Sequence, residues 1–267
     1  MTPRSARSRR IGIFVADSAG DAEALLPQTA GRVVDMFILA LSHGLAPAEL
    51  RRQVRMCLDG VGVHATCVEC NHDQVHALCE EVRRDYGIAA TGLERDEFLR
   101  RGTPPHALER ADFIVTTRFH AGELQKRAAR LHKPVIVVSL APAFVAEIHR
   151  LVEEGPLYFL CTDPRFAAKL PHIFAGVRAT IRAVVLGRDS LEAIPREAMV
   201  YAMPSARERL PSRWKHPRVV TAPGVFSASS ARAILTAIVL RNLQAIRASR
   251  ARKPGGARAT RAAAASR

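Results

Sequence analysis

A chain of 267 residues, 48% of them apolar, has material for two compact lobes, and this excludes global disorder. The net charge of +15 sits at the ends: residues 241–267 carry eight basic side chains and no acidic one, and Arg4, Arg7, Arg9 and Arg10 add four more. The body between them is close to neutral, so the charge describes two basic tails and not a basic binding face.

In chain order, residues 1–10 read as a loose basic start, followed by a short strand over 10–16 with β-branched and aromatic residues. Val33, Val34, Phe37, Ile38 and Leu41 recur at three- and four-residue spacing, which predicts a helix over about 21–43 ended by Gly44. Pro47 suits the first turn of a second helix reaching about Leu58, with Leu50, Val54, Cys57 and Leu58 on its apolar face. The two form a helix pair.

From Val63 onward strands and helices alternate. Strands are predicted at 63–69, 88–93, 112–117 and 134–140, with helices at 73–85, 121–130 and 143–153. The run Pro134–Leu140 is nearly all apolar, as for a strand buried on both faces. A second set follows: strands at 157–161, 179–186, 198–203 and 218–221, helices at 164–176 and 229–246, then a basic tail that reads as disordered. The pattern predicts an α/β fold of two similar Rossmann-like lobes with parallel sheets, preceded by the helix pair. The segments are 1–20, 21–60 (linker or dimerisation pair), 61–142 (first lobe), 143–246 (second lobe with its closing helix) and 247–267.

No run approaches the ~18–20 apolar residues of a membrane span, and Ile11–Ala16 is too short for a signal peptide core. Five cysteines in such a chain point to reduced thiols in a cytoplasmic protein.

In parallel sheets, ligands sit beyond the carboxyl ends of the strands, where loops and helix N-termini converge. That rule selects Glu69 and Asn71, then Thr116, Thr117, Arg118 and His120, then Ser139, then Cys161 and Thr162, as candidate ligand-binding residues. Asn71 can cap the following helix while its first-turn N–H groups face an anion or a carbonyl. The group from Thr116 to His120 is the densest polar set and could hold a carboxylate or phosphate. The reading assigns no catalytic residue, no metal and no cofactor.

Val68-Glu-Cys-Asn71 and Ala111-Asp-Phe-Ile-Val-Thr-Thr-Arg-Phe-His120 are similar to two segments of the ligand-binding half of a group of GntR-type transcriptional regulators. The resemblance covers about residues 22–245. Gly12-Ile-Phe-Val-Ala16 is similar to the end of the wing strand in their DNA-binding heads, with Ile13 in place of threonine. It implies a periplasmic-binding-protein-like body, a small anionic effector held between the lobes, and a helix pair that links the body to a head and helps make a homodimer. A winged head needs ~60–70 residues before its wing, and ten stand there, so DNA is expected as a partner only with an upstream head.

Four other readings compete. Cys70 and Cys161, one after a strand in each lobe, are placed like the paired thiols of two-cysteine amino-acid racemases. Cys67, Cys70, His72, His76 and Cys79 offer zinc ligands within thirteen residues, although strand geometry sends Cys67 and Cys70 to opposite faces. Trp214 among Arg213, Lys215, His216 and Arg218 could stack a ring. The basic tail could bind nucleic acid without sequence preference.

Overall fold

Strand β1, His64–Glu69, is buried along five of its six residues, as a central strand of a parallel sheet must be. Asn71 then takes an extended backbone and caps α3, His72–Tyr86, accepting a hydrogen bond from Gln74 N at 3.0 Å. Gly87 ends that helix in the left-handed conformation at φ 63°, which glycine adopts without a Cβ penalty. This computed structural model describes residues 19–59, 62–100, 102, 104–174, 176, 181–220 and 225–251; the expected strand at 10–16 and the tail beyond 251 lie outside them.

The first lobe continues with β2 (Ala89–Glu94), α4 (Arg95–Leu99), α5 (His106–Arg110), β3 (Phe113–Thr117), α6 (Ala121–Arg130) and β4 (Val135–Val138). Its sheet is all parallel, in the order β2-β1-β3-β4. After α7 (Pro142–Glu153) the second lobe repeats the plan with β5 (Leu157–Cys161), α8 (Pro164–Ile173), β6 (Ile181–Val185), β7 (Met199–Ala202), α9 (Pro204–Arg207) and β8 (Val219–Val220). Its order, β6-β5-β7-β8, matches that of the first lobe strand for strand. The fold is α/β, with two Rossmann-like lobes following a helix pair.

Each sheet reverses its strand order beside its first strand, β1 or β5, and the two lobes bury separate cores there. Val68, Leu93, Phe98, Leu108, Ile114 and Leu124 fill the first. Phe144, Phe159, Phe174 and Tyr201 meet in the second at ring-centroid separations of 5.0–6.4 Å. Packing is close where β2 meets α3: a Cβ on Gly92 would overlap Val75 Cγ1. Val75 is β-branched on a helix and cannot swing away. Gly92→Ala is expected to cost about 1–3 kcal/mol in urea unfolding.

Two sequence expectations change. β4 is the edge of its sheet and not a doubly buried strand, and Val137 is 39% exposed. An apolar run alone does not distinguish the two cases. The closing helix, α10, runs Ala228–Ala251, five residues past its expected end and into the segment read as disordered tail. Three short helices, α4, α5 and α9, have four or five residues each, too few to show a period in the sequence.

The chain passes between the lobes at Ser139–Pro142 and returns after β8. The two passages run antiparallel, with a bridge between Leu140 and Phe226 and bonds from Ala141 N to Val225 O and from Ser227 N to Ser139 O. Ser139 N donates to Ser230 Oγ at 2.9 Å, so the first turn of α10 is tied to the end of β4.

His64–Ile234 form one compact unit. The helices before it and the chain from Leu235 onward form another. In that second unit, α1 (Ala19–Ser42) packs on α2 (Pro47–Asp59), and Asn242 Nδ2 donates to Cys57 O at 2.5 Å. Val34, Ile38 and Leu41, read as part of the apolar face of α1, are 54–61% exposed. No single helix among the described residues is long and apolar enough to cross a membrane.

Candidate functional site

The strand-to-helix turns after β1 and β5, equivalent positions in the two lobes, dock against each other and exchange carboxylates. Asp73, in the first turn of α3 and fully buried, accepts from Thr162 N at 3.0 Å, Thr162 Oγ1 at 2.9 Å, Asp163 N at 2.7 Å and the Ser205 hydroxyl. In return Asp163, which caps α8, accepts from His72 N at 3.0 Å. Burial pushes the Asp163 carboxyl up, but bonds from Arg165 and from His72 N outweigh it and hold the group below its usual value. Free N–H groups at a helix start attract an anion. Here the protein supplies both anions itself.

That exchange places several sequence-selected residues in structural roles. Asn71 is fully buried, with its amide spent on Gln74. Thr162 is spent on Asp73. Thr116 is buried with its hydroxyl unpartnered. Cys161 is fully buried, its thiol donates to Val184 O at 3.7 Å, and burial, followed by the nearby Asp73, pushes it up to about 12. Buried and bonded to a carbonyl, this thiol does not present itself to a ligand as the two-thiol arrangement requires.

Three more of the sequence-selected residues, Glu69, Thr117 and His120, come together after β1 and β3. The fully buried Glu69 accepts from Thr117 N at 3.1 Å and Thr117 Oγ1 at 2.5 Å. His120 Nε2 lies 3.3 Å from Glu69, and its Nδ1 lies 2.7 Å from Glu123. Lys169, from α8 of the second lobe, reaches across to 3.9 Å from Glu69 and 3.3 Å from His120 Nε2. Glu69, Cys70 and His120 carry ligand atoms within 4.8 Å of one another. The Lys169 ammonium already brings positive charge there, so the set suits an internal ion cluster better than a metal.

The five zinc candidates do not converge. Cys67 and Cys79 pair inside the first lobe, a contact that with burial raises the Cys67 thiol, while His76 pairs with Glu208 at 3.2 Å. Trp214 packs partly buried on the second core and stacks on His216, at 5.6 Å between ring centroids.

Between the lobes lies a cavity of about 350 Å³. The first lobe gives it one face of α3 from Gln74 to Arg84, the turn Thr117–Phe119 after β3, and Val138–Leu140 at the end of β4. The second lobe gives aromatic rings from α7, β5, α8 and β7, with Met203 and Arg207. Six of the chain's ten phenylalanines line it. Of the sequence-selected residues, Thr117, Arg118 and Ser139 face this space, and Glu69 and His120 form the ion cluster beside it.

Sequence reasoning missed the α3 face, Ala77, Glu80, Glu81 and Arg84. Its one signal was Gln74, Ala77, Glu81 and Arg84 recurring at three- and four-residue spacing beside the core face. Glu81 is 5% exposed, and its carboxylate accepts from Phe226 N at 2.7 Å. Burial is the main cause that pushes it up to about 7, helped by Asp85 and opposed by the Phe226 and Val225 N–H groups and by Arg84.

Because that value is raised in the folded state, the neutral form favours folding. The benefit is complete below the unfolded value near 4.5 and is lost as pH rises through about 7. Glu81→Gln is therefore expected to leave stability unchanged at pH 4 and to raise it by on the order of 3 kcal/mol at pH 8, read by urea unfolding at both pH values.

No protein-family model matches the chain, and no curated protein matches it in sequence. Among solved structures it is similar to ligand-free aspartate transcarbamoylase from Trypanosoma cruzi, at 9% identity, over 74% of this chain and 87% of that one. The TM-score is 0.24, and the likeness carries no argument about activity.

Proposed function

We propose that this chain is the effector-binding module of a bacterial GntR-type transcriptional regulator, taking a small metabolite into the cavity between its lobes. The observation that carries the ligand-binding part is that cavity. Its volume of about 350 Å³ lies in the range of small-molecule sites, ~300–1,000 Å³. It is lined by apolar side chains, most of its rings coming from the second lobe, and by a smaller set of polar groups, most of them from the first. Arg118 brings positive charge to its wall for an anionic group on the ligand, while Arg84 and Arg207 on the same wall are paired with Asp85 and Glu80.

The family part rests on the two segments similar to those regulators. Both lead to one place: Glu69 from the first accepts two hydrogen bonds from Thr117 of the second, with His120 beside them. A ligand touching both lobes favours the arrangement in which they face each other closely, and it shifts that equilibrium by its differential affinity. In this reading the protein is a cytoplasmic homodimer and not an enzyme, and DNA is contacted through a head upstream of the helix pair.

The test is a thermal-shift screen of metabolites on the wild-type chain and on the cavity-blocking variants Ala77→Trp and Leu140→Trp. Compounds that raise Tm in the wild type and in neither variant support the reading, since a ligand specific to the folded state stabilises it. Hits that persist in both blocked variants would place binding elsewhere and end it. The regulatory half is tested by extending the reading frame upstream of Met1. The longer chain must bind DNA with an affinity that the ligand changes, and ligand-independent binding counts against it.

A further inference from the structure

We infer that the ligand of this cavity carries an ammonium group on a ring-sized apolar body, and that Glu81 receives the ammonium. The inference rests on the ligand-binding reading above and names the chemistry of that site. Glu81 is a carboxylate side chain, 5% exposed, facing a space whose other walls are largely aromatic. Such a group is costly to bury unless a positive charge answers it.

The protein supplies little such charge. Arg84, one turn further along α3, has its guanidinium turned onto Asp85, with Nε at 2.7 Å and Nη2 at 3.0 Å. Arg207 is turned onto Glu80, at 3.2 Å. What Glu81 does receive is the pair of backbone N–H groups of Val225 and Phe226, on the return passage between the lobes. They hold the carboxylate in place and leave it short of a cation.

The rings around it fit the same occupant. Phe119 already has Arg118 and Lys169 near its face, at 5.3 and 5.6 Å from its centroid, so aromatic faces at this site do meet cations. The same cavity offers Phe159, Phe166 and Tyr201 to the ligand body and Arg118 to any carboxylate on the same molecule. Simple arylalkylamines and aromatic amino acids both meet this description, and the experiment separates them.

Titration calorimetry at pH 8 on the full chain would use three probes of equal ring size: phenethylamine, L-phenylalanine and 3-phenylpropionate. Both amine-bearing probes are expected to bind at least tenfold more tightly than 3-phenylpropionate. L-phenylalanine ahead of phenethylamine would show that Arg118 seats a carboxylate as well, and the reverse order would show a plain amine site. Glu81→Gln keeps an oxygen for Phe226 N and is expected to erase the preference for amines. If that variant does not fold, the wild-type ranking alone decides.

The titratable groups that interact with Glu81 are Arg84, Asp85 and Tyr86 on its own helix and Tyr201 on β7, with the paired Glu80 and Arg207 on the same cavity wall. Amine affinity should fall as pH drops through about 7, where Glu81 takes up a proton. Binding of 3-phenylpropionate as tight as that of the amines overturns the inference. If that binding is lost in Ala77→Trp, the cavity reading survives and only the ammonium assignment falls. Failure of all three probes also overturns the inference, and the metabolite screen then judges the cavity reading on its own.

Discussion

Asp73→Ala is expected to lower stability by about 3–5 kcal/mol, the largest loss from a single polar substitution in this chain. The carboxylate is fully buried and receives hydrogen bonds from two backbone N–H groups and two hydroxyls, all donated by the second lobe. Deleting it takes the acceptor from all four donors, and each buried donor left unpaired costs about 1–3 kcal/mol. Asp73→Asn keeps the shape but turns an NH2 toward a donor, so about half the loss is expected to remain. Ser205→Ala removes only one donor and should cost about 1 kcal/mol. Urea unfolding of the three variants gives the ranking, and a loss below 1 kcal/mol for Asp73→Ala would show that the two turns are not held together in solution.

The second large effect is expected at Glu69. Glu69→Ala should cost about 3 kcal/mol, because Thr117 N loses its acceptor and Lys169 loses its nearest carboxylate. Lys169 is 26% exposed at its side chain, so water recovers part of its solvation, and Lys169→Met alone should cost about 1 kcal/mol. Because the two groups act as one, the double variant should cost less than the two single losses added together. Strict additivity in the unfolding free energies would show that Lys169 does not lean on Glu69.

Much of the fold was legible because the strands declare themselves. Leu157–Cys161 and the helix Ala121–Arg130 fall where the sequence pattern places them. The similarity of the two lobes followed from the repeated alternation, but their shared strand order did not. The edge position of β4 was not legible, since sheet order is a property of pairing and Val137 looks the same on an edge as in a centre.

The candidate site was half legible, and for a physical reason. The rule that points to residues after strands found Thr117, Arg118 and Ser139 at the cavity wall and Glu69 in its ion cluster. It also selected Asn71 and Thr162, because a helix start looks open to an anion when the chain is read one lobe at a time. Only the meeting of two helix starts shows that Asp73 and Asp163 already fill that role. Glu81 and Lys169 were hidden for the same reason: what a mid-helix side chain faces depends on the neighbouring lobe.

The passage at Leu140 and the return at Phe226 meet at one bridge, and the exchange of carboxylates between Asp73 and Asp163 ties the same two lobes at a second place. One lobe therefore shifts against the other only by straining both ties. Glu81, bonded to Phe226 N, rests its carboxylate on the first of them.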